Sequence, residues 1–80
     1  MNVERMQLKG MLADAKKRFR TIDTEASGLI ILVRSLLNPY EEILSLDMSK
    51  VVVLTERLSK TTEEMKTLKE KISKLEAELE

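Results

Sequence analysis

The residues best suited to chemistry form a basic cluster, which consists of Lys16, Lys17, Arg18 and Arg20 around Phe19. The first twenty residues carry six basic and two acidic side chains, which leaves four net positive charges. Clustered Lys and Arg side chains on one segment are typical of phosphate binding. The cluster is therefore a candidate nucleic-acid contact, unless acidic residues elsewhere in the chain neutralise it.

Catalytic, cofactor and metal chemistry has no candidate residues in this sequence. The chain contains no Cys and no His, which are common metal ligands and nucleophiles or bases. The carboxylates of Glu41 and Glu42, or of Glu63 and Glu64, are adjacent and would point about 100° apart on a helix, so neither pair suits acid–base catalysis. We expect a non-enzymatic protein with no bound cofactor or metal.

Two sets of residues, mostly apolar and spaced alternately three and four apart, occupy most of the chain. This spacing averages 3.5 residues and is typical of helices that pack along one seam in a coiled coil. Both sets are called seam residues below. The first set is Leu8, Leu12, Ala15, Phe19, Ile22, Ala26, Leu29, Val33 and Leu36, and the second is Val51, Leu54, Leu58, Thr61, Met65, Leu68, Ile72, Leu75 and Leu79.

Asn38 and Pro39 lie between the two sets and predict a break in the helix, since the residue before a proline avoids the α conformation. Asn2 is expected to cap the first helix, and Asp47 or Ser49 the second. The predicted domain covers residues 1–80, with helices over 3–37 and 48–79 and a linker over 38–47.

Two helices of similar length favour an antiparallel hairpin, in which facing residue numbers add up to about 85. This register brings the basic cluster near Glu63 and Glu64, which would neutralise it. Thr61 is the one polar seam residue and a candidate for setting the register. The alternative is an unbroken helix through Pro39, which would form a rod of about 120 Å.

Near the linker, apolar residues surround both predicted helices instead of forming one stripe. One neighbouring helix covers only one side of another, so we expect further copies to cover the rest. We predict a homodimer that forms a four-helix bundle, with a tetramer as the alternative and another helical protein as a possible partner. The apolar ring consists of Leu29, Ile30, Ile31, Leu32, Val33, Leu36, Leu37, Val51, Val52, Val53 and Leu54.

The linker resembles the junction in small uncharacterised coiled-coil proteins of bacteria and Mu-like prophages. This resemblance implies a helix–linker–helix form in a bacterial or phage setting, and it implies no active site. The residues that carry it are Ser35, Leu36, Leu37, Asn38, Pro39, Tyr40, Glu41 and Glu42, followed by Leu46 and Asp47.

The order of basic segment, helix, loop and leucine-repeat helix also resembles basic helix-loop-helix-zipper factors. That resemblance implies a DNA-binding dimer that uses Lys16, Lys17, Arg18 and Arg20. The sequence departs from the family, because the segment lacks the Glu and the preceding His of its basic region. The distance from Arg20 to Leu36 is also a few residues too long.

The function expected from the sequence is that of a self-associating coiled-coil module, with a structural or adaptor role. The alternative is the nucleic-acid-binding dimer. The net charge of zero gives the whole molecule no attraction to nucleic acid or to anionic lipid. The most apolar window, over residues 28–37, is far shorter than the roughly 20 residues of a membrane span, so we expect no membrane contact and a cytoplasmic location.

Overall fold

A computed structural model describes residues 3–80 as two long antiparallel helices joined by a short linker. Helix α1 covers Val3–Leu36, a 3₁₀ turn covers Ile43–Ser45, and helix α2 covers Met48–Leu79. The Cα atoms span 65 × 15 × 14 Å. The chain therefore folds back on itself as an all-α hairpin, and the alternative of an unbroken rod through Pro39 is wrong.

The two sets of seam residues form the contact between α1 and α2. Every one of them is buried or half-buried, whereas almost all other residues of the helices are exposed. Ile22, near the middle of α1, is fully buried. The other buried seam residues are Ala15, Ala26, Leu29, Val51, Thr61 and Leu75.

The linker reverses the chain through a short series of local hydrogen bonds. Helix α1 ends at Leu36, one residue earlier than predicted, although the Leu37 N–H still donates to the Val33 carbonyl at 3.0 Å. The Asn38 side-chain oxygen accepts a hydrogen bond from the Tyr40 N–H at 3.0 Å. Because this turn lies directly around Pro39, which cannot donate a backbone hydrogen bond, the α-helical ladder stops here.

Both helices have defined ends near the predicted positions. Asp47 is the N-cap of α2, and its carboxylate accepts a hydrogen bond from the Lys50 N–H at 3.1 Å. The predicted cap Asn2 lies outside the described residues. At the open end of the hairpin, the Arg5 guanidinium donates to the Leu79 carbonyl at 3.0 Å, where a cation also meets the negative end of the α2 dipole.

Ile22→Ala tests whether the seam supplies the stability of the hairpin. We expect the free energy of unfolding to fall by about 2–5 kcal/mol, because the change removes buried methyl groups and leaves a cavity. The measurement is urea denaturation followed by circular dichroism at one fixed protein concentration. The matched control is Ile43→Ala in the exposed 3₁₀ turn, with an expected change within about 0.5 kcal/mol. Equal losses for the two variants would contradict this assignment of the core.

Candidate functional site

The hairpin divides the predicted apolar ring into two groups. Five members lie in the seam between α1 and α2, where they are buried or half-buried: Leu29, Val33, Leu36, Val51 and Leu54. The other six remain exposed to between 39% and 67%. These exposed ring residues are Ile30, Ile31, Leu32, Leu37, Val52 and Val53.

More apolar surface lies next to the exposed ring residues, at the linker end of the hairpin. Tyr40 and Leu44 are almost completely exposed, at 95% and 98%, and Met48 is half-exposed at the start of α2. Isolated apolar residues on a surface are ordinary, but a contiguous patch is typical of an interaction site. The linker end is therefore the candidate functional surface of this molecule.

Two residues of the basic cluster form ion pairs with α2. The Arg18 guanidinium donates from Nη2 and Nε to one Glu64 carboxylate oxygen, at 3.1 and 3.2 Å. Lys16 Nζ lies 3.9 Å from a carboxylate oxygen of Glu76. All four side chains are about half-exposed, so these pairs contribute at most about 1 kcal/mol each.

The rest of the basic cluster is exposed on the outside of α1. Lys17 and Arg20 both lie away from the seam. Phe19 is a half-buried seam residue, so its ring is not presented for stacking on a nucleic-acid base. The use of Lys16, Lys17, Arg18 and Arg20 for nucleic-acid contact stays a prediction, with two of these four side chains held by carboxylates of α2.

Thr61 is buried in the seam, but its hydroxyl does not reach the opposite helix. The hydroxyl donates to the Arg57 carbonyl of α2 at 2.8 Å, so its polar atom is satisfied within its own helix. A register device needs a polar contact across the seam. We therefore expect the register to depend on apolar packing and on the flanking ion pairs rather than on Thr61.

The ion pairs also define two broad faces of the hairpin. Lys16 and Arg18 are two residues apart, so on a helix they point about 200° apart and flank the seam on opposite sides. One side is called the Lys16–Glu76 face, and the other the Arg18–Glu64 face. The two faces differ in their charge.

Potential metal ligands are not clustered in the described part of the chain. No group of three or more Asp or Glu residues within 3–80 is placed to hold a metal ion. A surface depression on α2 is lined by Lys66, Lys69, Glu70, Ser73 and Lys74, which all belong to one helix, so no second element encloses it. Neither long helix is apolar enough over a sufficient length to cross a bilayer.

No protein-family model matches the chain, and no curated protein or solved structure is significantly similar to it.

A charge-exchange cycle tests whether Arg18 and Glu64 interact in solution. We expect Arg18→Glu and Glu64→Arg each to lower the free energy of unfolding by up to about 1 kcal/mol, and the double variant to recover most of the loss. The measurement is urea denaturation of the four proteins at low and at high salt. The coupling should shrink at high salt, because mobile ions screen half-exposed charges. No recovery in the double variant at low salt would contradict the pairing.

Proposed function

We propose that this chain is a non-enzymatic, self-associating coiled-coil module that assembles as a homodimer. In the proposed assembly, two hairpins form a four-helix bundle around a two-fold axis. The module serves as a structural element or as an adaptor that holds another helical protein. Its assembly needs neither metal nor cofactor, and we propose that it takes place in the cytoplasm.

The observation that best supports this proposal is that six apolar ring residues beside the linker are exposed to solvent. Ile31 and Val53 are 67% and 63% exposed even though α1 and α2 pack along their whole length. A two-helix hairpin covers one stripe of each helix and leaves the other sides to solvent. Burial of the remaining surface of one such side chain stabilises an assembly by about 1 kcal/mol, so an assembly that covers several of them on each chain is favoured.

The small size of the chain supports the same proposal. A two-helix hairpin of this length has a narrow core, in which only seven of its seam residues are buried and one of these is Thr61. Small domains without disulfides or metals commonly gain their stability by oligomerisation. Packing a second hairpin against the first would convert the two-layer arrangement into a bundle with a shared core.

Solution mass is the first test of the proposal. The chain has a mass of 9.2 kDa, so we expect sedimentation equilibrium to give twice that value for the homodimer. Leu32→Glu with Val52→Glu should reduce the mass to that of one chain, because it places charges on exposed ring residues of both helices. Circular dichroism should show that the variant keeps most of its helix.

The matched control places the same two charges far from the linker. Val3→Glu with Met11→Glu changes two exposed apolar residues in the first third of α1, and its mass should equal that of the unmodified chain. A mass of 9.2 kDa for the unmodified chain at high concentration would overturn the proposal.

A further inference from the structure

The two broad faces of the hairpin can be followed along the helices from their ion pairs. In helices that pack along a 3.5-residue seam, positions seven residues apart point in the same direction. Ile30 and Leu37 lie at multiples of seven from Lys16, and Met48 lies at a multiple of seven from Glu76. These three exposed apolar residues therefore share the Lys16–Glu76 face at the linker end, where α1 also carries one charge of each sign, at Asp23 and Arg34.

On the Lys16–Glu76 face, α2 carries no charged side chain over its first four turns. The same repeat places Thr55 and Thr62 on this face, and Val52 and Ser59 lie one helical turn from them on the same side. This stretch is about 21 Å long by helix rise. We call it the uncharged strip, and its residues are Met48, Val52, Thr55, Ser59 and Thr62.

The hydroxyl groups of the uncharged strip are largely satisfied within α2. Thr55 donates to the Val51 carbonyl at 2.9 Å and to the Val52 carbonyl at 3.0 Å. Thr62 donates to the Ser59 carbonyl at 2.8 Å. Because a buried polar group is costly only when it lacks a partner, these threonines can be covered by another helix with little penalty.

The Arg18–Glu64 face has the opposite character over the same stretch of α2. Arg57 and Lys50 lie seven and fourteen residues before Glu64, and Lys60 lies one turn from Arg57 on the same side. Three positive charges thus surround the exposed apolar residues Leu32 and Val53. Glu25, seven residues after Arg18, supplies one carboxylate on the α1 side of this face, so covering the face would bury more cations than carboxylates, which is unfavourable.

We infer that a second copy of this chain docks on the Lys16–Glu76 face, with its two-fold axis parallel to the long axis of the hairpin. This inference rests on the proposed homodimer and names the surface and orientation that it uses. The linkers of the two copies lie at the same end, and α1 of each copy packs against α2 of its partner. The uncharged strip of one copy then covers Ile30 and Leu37 of the other.

The area of the face supports contact along its whole length. A side of 65 by 15 Å offers about 1,000 Å², which exceeds the roughly 800 Å² that each partner buries in a stable complex. Contact at the linker half alone would offer about half of this area and would fall short. The copies must therefore lie side by side rather than overlap only at their linker ends.

The distribution of charge supports this orientation. Residues 1–20 carry six basic and two acidic side chains, whereas residues 61–80 carry six acidic and four basic ones. Side-by-side copies with their linkers together bring each basic segment to the level of its partner's acidic segment, and the docking face of that segment carries Lys66 and Lys69 as well as Glu76. Turning one copy end over end would instead place apolar residues of the linker half against the charged half of its partner.

Disulfide trapping between two singly substituted chains tests the inference, because the natural chain has no cysteine. We expect a mixture of Leu37→Cys and Met48→Cys chains, reduced together and then oxidised, to form a covalent heterodimer. Each of the two chains oxidised alone should form little covalent dimer, since α1 is packed against α2 of the partner. The matched control is a mixture of Leu32→Cys and Lys50→Cys chains from the Arg18–Glu64 face, which should form little covalent dimer.

The outcomes separate the inference from the proposed function. Efficient trapping in the control mixture would overturn the inference and leave the homodimer in place. So would a lack of trapping in both mixtures while the unmodified chain keeps twice its single-chain mass. Trapping of Leu37→Cys with itself would indicate α1 against α1 and would also overturn it. A single-chain mass for the unmodified protein would overturn the homodimer itself.

Discussion

The structure depends on the burial of one stripe of side chains between two long helices. Along this stripe, residues spaced alternately three and four apart stay on one side of each helix, so α1 and α2 remain in contact from the open end to the linker. Ile22 is fully buried at the middle of this contact. The same arrangement limits the hairpin, because a helix that packs against one neighbour leaves its other sides exposed.

The linker matters because it fixes how the two stripes meet. Pro39 interrupts the helical hydrogen bonds, and the Asn38 side chain replaces one of them by accepting from the Tyr40 N–H. Asp47 then caps α2 and fixes the position at which the second stripe starts. Arg5 contacts the Leu79 carbonyl at the far end, so the hairpin is held in one register from both ends.

Most of the fold could be predicted from the sequence because the spacing of the seam residues determines which side of each helix is buried. The periodic pattern predicts both seam sets and the start and end of α2. The antiparallel register predicts that acidic residues of α2 neutralise Arg18. The end of α1 at Leu36 and the 3₁₀ turn over Ile43–Ser45 depend on local hydrogen bonds that no period describes. The polarity of Thr61 makes it a candidate for setting the register, but its hydroxyl bonds to its own helix and makes no contact that would fix the register.

The side on which another chain would bind does not follow from the apolar ring, because the ring surrounds both helices. Direction comes from the charged residues, whose positions beside the seam are fixed by Lys16–Glu76 and Arg18–Glu64. Lys50, Arg57 and Lys60 keep one face of α2 solvated, while the opposite face carries only apolar side chains and short hydroxyls over the same length. Since burying an unpaired cation costs more than burying a hydroxyl already bonded to its helix, the proposed second copy is placed on the face of α2 that has no charged side chains near the linker.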